Sequence, residues 1–483
     1  MRVQSANPTQ APLRIVPLTS PPESHTVWQA STPWQTIRSM LLLVIVCFFI
    51  SQIAVFVAAG FFDGDLNGTL GPVEPAMSFV ASICMAPFLL FFFYLRRPNL
   101  THTINAHPHP QGSNTHVLQG NRLVQSPVPT VVTQHIVRST APLEMPRPLH
   151  LWGLFIGGIT LSTLCLLPMT LLGLNALTGT MALLVVIPAW LIGFSAPVFA
   201  WWSITSRHMG ITITRRDAEW VLAAGMLSTV PAIIINSITS PIMLSLVGLD
   251  AFEVGSWGEG LILFGSAPIG EELCKAFAVL CLTRLIVSPK HGFYVGSTVG
   301  LGFALLENAQ YIIMALSSEY SGILYPITAL LRGLSSIPGH ALWTGITGYA
   351  IGCWLARGNR VPTLTSSPYL SEKNSSTWVL YDKKTGSLLP TTLWGTMPSQ
   401  RMIDFLGRRQ KSAWPLPKTV PVALGLAMLG HALWNGSSWA LSRWVTTEDS
   451  LTALFIDLGW LFSSMVILWL CIVRLLPTAV LDS

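Results

Sequence analysis

The chain reads as an all-α, polytopic membrane bundle of about ten transmembrane helices with both termini cytoplasmic. Three observations predict this. Only 10% of its 483 residues are charged, against roughly 25% in an average soluble protein, and the mean hydropathy is +0.56. Ten stretches are long and apolar enough to cross a hydrocarbon core of about 30 Å. The basic residues, finally, are sorted to alternate sides of those stretches. This composition excludes a disordered chain, a coiled coil, a collagen-like fibre and a small disulfide scaffold.

The predicted spans lie near 39–62, 76–95, 151–174, 181–203, 218–247, 260–286, 292–316, 324–355, 418–442 and 451–476. The first follows a polar leader and is expected to remain as a span rather than be cleaved as a signal peptide. Pro231 and Asn236 predict an irregularity in the fifth. With the N-terminus inside, 24 of the 27 lysines and arginines fall in cytoplasmic segments. Arg443 alone lies outside, and Lys275 and Arg332 lie within spans. This is the positive-inside pattern, so the net charge of +6 records topology rather than a nucleic-acid partner. The inside-positive loops suit a plasma membrane.

Three cytoplasmic segments divide the chain. Residues 1–36 are expected to be disordered. A first transmembrane part, 37–250, has about five spans and a loop, 97–150, rich in Pro, His, Thr, Asn and Gln that also predicts disorder. His102, His107, His109 and His116 in that loop are too irregularly spaced to argue for a metal site. A second part, 251–483, has about five spans and a loop, 357–417, that reads as a linker with room for a small hairpin around Trp378–Tyr381. All seven cysteines lie in apolar stretches without a CxxC pair, which predicts packing roles.

Ionisable groups inside spans cost about 2.5–3.5 kcal/mol each on insertion scales, so each needs a reason. Four clusters stand out: Glu271-Glu272-Leu273-Cys274-Lys275, Phe303 through Glu307-Asn308, Gly339-His340-Ala341-Leu342-Trp343-Thr344-Gly345, and Gly430-His431-Ala432-Leu433-Trp434-Asn435-Gly436. The last two agree at six of seven positions although their helices run in opposite directions. Counted at 1.5 Å per residue, Glu271, Glu307, His340 and His431 sit roughly 14–24 Å below the outer edge. Four consecutive helices that bundle would therefore bring them into one layer.

Residues four apart share a helix face, which pairs Glu271 with Lys275, Phe303 with Glu307, His340 with Thr344, and His431 with Asn435. Two adjacent carboxylates in low dielectric are not both ionised cheaply without Lys275 or a histidine beside them. Carboxylates beside imidazoles supply general acid–base chemistry, and Asn435 and Thr344 are candidate donors to an oxyanion. Trp343 and Trp434 read as packing residues. Arg332 and Asp457, at similar depths, read as a structural ion pair. Any one cluster alone has a structural explanation in a buried ion pair or an interhelical hydrogen bond; their convergence argues for a site.

At these clusters the sequence resembles the PrsW family of intramembrane proteases. The family's Glu-Glu-x-x-Lys motif reads here as Glu271-Glu272-x-x-Lys275, and its Phe-x-x-x-Glu motif as Phe303-x-x-x-Glu307. The two histidine motifs read as His340-Ala-Leu-Trp-Thr344 and His431-Ala-Leu-Trp-Asn435. The four fall in the family's order over roughly 260–440. The resemblance implies a multi-pass membrane protease, distantly similar to the CAAX prenyl endopeptidases, that acts on a membrane-anchored protein substrate. It also implies a site of Glu271, Glu272, Glu307, His340 and His431, with Asn435 joining them and Lys275, Phe303, Asn308 and Thr344 in support.

Two mechanisms are open on these residues. In one, a glutamate, Glu271 or its neighbour Glu272, deprotonates a water held by His340, and Asn435 or His431 stabilises the oxyanion. In the other, Glu271, His340 and His431 bind a divalent metal such as zinc that activates the water. No HExxH helix is present to demand a metal, which favours the first form. A proton-coupled transporter using the same buried Glu/His cluster is the alternative function. Against it, the internal echo covers only seven residues and no discontinuous helix is evident around the polar layer.

Overall fold

The computed structural model describes residues 14–21, 33–98, 100–118, 121–138, 143–172, 182–209, 211, 213–357, 380–381, 388–389, 409, 412–444 and 451–481. Contacts divide the chain into a small unit, from the N-terminal segment, 96–142 and 363–389, and a large helical unit holding the rest.

The helical unit starts with α1 (Pro33–Phe62), α2 (Pro75–Leu95), α3 (Pro148–Leu171) and α4 (Ile187–His208). It continues with α5 (Arg215–Ile234), α6 (Ser240–Ser245), α7 (Trp257–Leu261) and α8 (Ala267–Cys281). The last helices are α9 (Pro289–Ser317), α10 (Ser321–Leu334), α11 (Ser336–Arg357), α12 (Val420–Trp444) and α13 (Leu451–Leu481). Starts are capped where the sequence offers a hydroxyl. Thr214 accepts from the Asp217 amide at 3.0 Å, and Ser288 accepts from His291 at 3.3 Å ahead of Pro289.

Proline sets the irregularities. Three π turns, Ala182–Val186, Ile235–Thr239 and Ile262–Ser266, each end two residues before a proline: Pro188, Pro241 and Pro268. A helical proline donates no hydrogen bond and its ring crowds the carbonyl four residues back. A wider turn just ahead of it relieves that crowding. The irregularity expected in the fifth span falls at one of these turns, which contains Asn236.

The predicted span 324–355 is corrected: it is two helices, α10 and α11, broken at Ser335. Pro338 crowds the Leu334 carbonyl and ends the first helix there. The freed carbonyls find tryptophan donors: Trp469 Nε1 bonds Leu334 O at 3.0 Å, and Trp201 Nε1 bonds Gly333 O at 2.9 Å. Away from water, exposed backbone needs such partners.

Among the described residues, seven helices are long and apolar enough to cross a membrane. They comprise α1 to α4, the run Arg215–Ser245, α9 and α13. The other three predicted spans, those of α7–α8, α10–α11 and α12, are broken or carry the polar clusters.

Helix α9 is central. Its apolar window is 72% buried, against 17% for α2 and 22% for α13, which lie at the rim. Glycine explains how α9 packs. A Cβ on Gly300 would stand 2.2 Å from the His340 carbonyl on α11, and one on Gly302 would stand 2.1 Å from the Leu222 carbonyl on α5. Small residues let α9 touch both neighbours backbone to backbone. That contact brings Glu307 opposite His340.

The small unit holds a three-stranded sheet. β1 (Arg14–Ile15) pairs in parallel with β2 (Leu100–Leu118), which forms an antiparallel hairpin with β3 (Arg122–Arg138). Disorder was the expectation for 97–150; residues 100–138 instead form this hairpin. The run Val131-Val132-Thr133-Gln134-His135-Ile136-Val137 supplies β-branched residues, and Val132 packs with Val16 and Leu118 in a core of its own. His116 bonds Thr130 within the sheet at 3.0 Å. In the second loop β4 (Leu380–Tyr381) pairs with β5 (Leu388–Leu389). Trp378, most of the rest of that loop and most of residues 1–36 lie outside the described residues.

Candidate active site

The four clusters meet, each on its own helix: Glu271, Glu272 and Lys275 on α8, Phe303 and Glu307 on α9, His340 and Thr344 on α11, His431 and Asn435 on α12. Glu272, Lys275 and Thr344 are fully buried, and Glu271, His340 and His431 nearly so.

The two adjacent carboxylates have different surroundings. Glu272 points inward: its Oε1 accepts from Lys275 Nζ at 2.5 Å and lies 3.0 Å from His431 Nδ1, and Thr344 Oγ1 approaches its Oε2 at 3.5 Å. Glu271 lines a cleft of about 260 Å³ together with Glu307. Its Oε1 accepts from Asn236 Nδ2 at 3.0 Å. Its Oε2, buried without a hydrogen-bond partner, stands 3.6 Å from His431 Nε2 and 4.0 Å from Lys275 Nζ. Helical spacing pairs Lys275 with Glu271; the closer contact is with Glu272, one position on.

Partners fix both imidazoles. A carboxylate accepts, so His431 Nδ1 carries a proton toward Glu272, and its Nε2 is left to accept from Asn435 Nδ2 at 3.2 Å. Trp343, read from sequence as packing, stacks on the His431 ring at 4.7 Å and 15°. A lysine ammonium only donates, so His340 Nδ1 accepts from Lys275 at 3.1 Å, and its Nε2 lies at ion-pair distance from Glu307 Oε2, 2.7 Å away. Phe303 lies under the lysine, whose Nζ is 4.3 Å from the ring centroid.

Arg332 holds the far side of Glu307. The sequence reading pairs it with Asp457; its ion pair is to Glu307, at 3.0 Å. It also bonds Asn308 and reaches Ser336 Oγ at 3.0 Å, with its guanidinium 3.7 Å over the Tyr311 ring. Asn308 is thereby tied to Arg332 and the Ala304 carbonyl rather than to the cluster. Thr344, expected as an oxyanion donor, spends its hydroxyl on Glu272. Asn236 and the role of Arg332 escaped the sequence reading. The signal for Asn236 was an amide five residues ahead of a helical proline.

The donor set suits a divalent metal. One ligand atom each from Glu271, His340 and His431 lie within 4.8 Å of one another. Glu271 Oε2 has no hydrogen-bond partner, and Glu272 orients His431 from behind, as outer carboxylates do for metal-bound histidines. Three carboxylates here face two permanent cations, so with all three ionised one negative charge would be left to be met. For His340 to join as a ligand, Lys275 must release Nδ1 or Glu307 must release Nε2.

Among known proteins, residues 217–367 match the family described as PrsW family intramembrane metalloprotease. The match runs from α5 through α11 and ends before α12, so His431 and Asn435 enter the cluster from outside it. No curated protein and no solved structure matches the chain.

Proposed function

We propose that the chain is a membrane-embedded peptidase of the PrsW kind, as the match over residues 217–367 supports, and that it hydrolyses peptide bonds of membrane-anchored protein substrates at the cleft bearing Glu271 and Glu307. The observation that carries this reading is the convergence of Glu271, His340 and His431 beside that cleft. Glu271 Oε2 takes a proton from water, the hydroxide adds to the scissile carbonyl, and the same oxygen returns the proton to the leaving nitrogen. Glu272 keeps His431 in its Nδ1–H tautomer, and the Asn435 amide beside Nε2 is the donor for the developing oxyanion. Glu307 and Lys275 hold the His340 ring.

The family description and the donor set favour a metal more than sequence spacing did. Glu271, His340 and His431 would hold it, and a divalent ion supplies Lewis acidity that polarises the carbonyl and acidifies bound water. Glu271 is then a ligand, and Glu307, the other carboxylate lining the cleft, takes the proton. Metal analysis of purified protein after exhaustive chelation separates the forms. Lost activity restored by added zinc is expected; full activity with no bound metal eliminates this one. A transporter role is not favoured by the family match.

We infer further that about ten spans cross the membrane, with both termini cytoplasmic and the cleft nearer the outer face, in a plasma membrane. Reporter fusions at each terminus test the orientation.

A further inference from the structure

The cleft has polar residues that hydrolysis does not use. Gln52 on α1, Asn236 on the π turn after α5 and Gln310 on α9 line it, with Ser51 and Thr229. The last two are satisfied locally, donating to carbonyls of their own helices at 2.8 and 2.6 Å. The amides are not. Gln52 makes one long contact, 3.4 Å to Ser51, and Asn236 Oδ1 is buried with no hydrogen-bond partner. Counted along their helices, the three amides stand about 10–15 Å from the outer ends. Lipid offers such groups nothing, so they are costly unless something polar enters.

A scissile peptide bond is such a group. Within a helix its carbonyl is bonded and shielded, so a membrane-spanning substrate must unwind before water can attack. Unwound backbone inside a bilayer needs protein partners for its N–H and C=O. Side-chain amides offer both donor and acceptor. Tyr311 and Met314, which also line the cleft, are 44% and 65% exposed, a largely apolar edge suited to entry from lipid.

We propose that this cleft is the substrate groove, in which Gln52, Asn236 and Gln310 bind the unwound backbone of a membrane-spanning substrate segment and lead it to Glu271. The proposal rests on the protease reading and adds to it α1, which lies outside the family match.

The test uses the full chain in lipid nanodiscs with the Glu271→Gln change and a photoreactive benzoylphenylalanine at Gln52 or Gln310. The control position is Leu90 on α2, 72% exposed. The probes are two synthetic Leu/Ala peptides of about 24 residues, one with a central Gly-Pro break and one unbroken. Crosslinking at Gln52 and Gln310 is expected to favour the broken peptide at least fivefold, with no preference at Leu90. In the otherwise native chain, Gln52→Leu is expected to raise KM for the broken peptide about threefold to tenfold with kcat nearly unchanged. Cleavage of the broken peptide without preferential capture at these positions overturns the groove and leaves the protease reading standing. Preferential capture without cleavage by the native chain overturns the protease reading and retains the groove; neither capture nor cleavage overturns both.

Discussion

Exchanging Glu272 for Gln tests the division of labour between the two adjacent carboxylates. Glu272 accepts from Lys275 at 2.5 Å and from His431 at 3.0 Å, and both Glu272 and Lys275 have 0% side-chain exposure. Glutamine removes the charge that compensates the lysine, whose other carboxylate, Glu271, is 4.0 Å away. Breaking a buried pair from one side costs about 3–5 kcal/mol. The amide also removes the anionic anchor that sets the His431 tautomer, an error that costs about 10⁴ in rate in a serine protease triad. Glu272→Gln should therefore lower both the thermal midpoint in detergent and the rate. Adding Lys275→Met removes the stranded charge and should return most of the stability, because a buried pair replaced by apolar groups is often near neutral. Activity should stay lost. Fluorescence-detected size-exclusion melting curves and peptide cleavage on the same samples read both quantities. A Glu272→Gln protein with a native midpoint, or a double variant less stable than the single one, would refute the reasoning.

Glu271→Gln should abolish cleavage while the folded protein accumulates normally, since Glu271 faces the cleft and its Oε2 has no hydrogen-bond partner; near-native turnover in that variant would sink its assignment. Arg332→Met should lower kcat about 10- to 100-fold by releasing Glu307 behind His340, and Arg332→Lys should rescue it only in part, because one ammonium does not span Glu307, Asn308 and Ser336. Gly300→Val should destabilise by about 1–3 kcal/mol because its Cβ meets the His340 carbonyl, whereas Gly425→Ala, with open space around its Cβ, should be neutral or slightly stabilising in the same melting assay.

The four clusters were legible because ionisable groups in apolar runs are conspicuous, and counting residues from the span ends placed them at one depth. Their pairing was less legible. Whether Lys275 turns to Glu271 or Glu272 depends on rotamers and on where α11 and α12 lie, and neither follows from one helix's periodicity. One straight rod over 324–355 sends Arg332 toward Asp457; the break before Pro338 gives α10 its own direction and brings Arg332 to Glu307. The hairpin at 100–138 was missed because its prolines and polar residues mask the β-branched run that closes it. Gln52 and Asn236 gave only a weak signal, being uncharged amides far apart in sequence.

Glycine contacts lock α9 to α11 on one side and to α5 on the other. A membrane span answers a change in bilayer thickness by tilting. Helices in backbone contact tilt together, so the Glu307–His340 separation should hold across membranes of different depth. Helix α1 packs closely through Gly60 against the start of α2, not against α9 or α11, and borders the cleft through Gln52. Lipid chain length should then act on how readily a substrate enters, read in KM, and leave the chemical step unchanged. The membrane itself becomes a control on access, and the protein's stiffness decides which step it can reach.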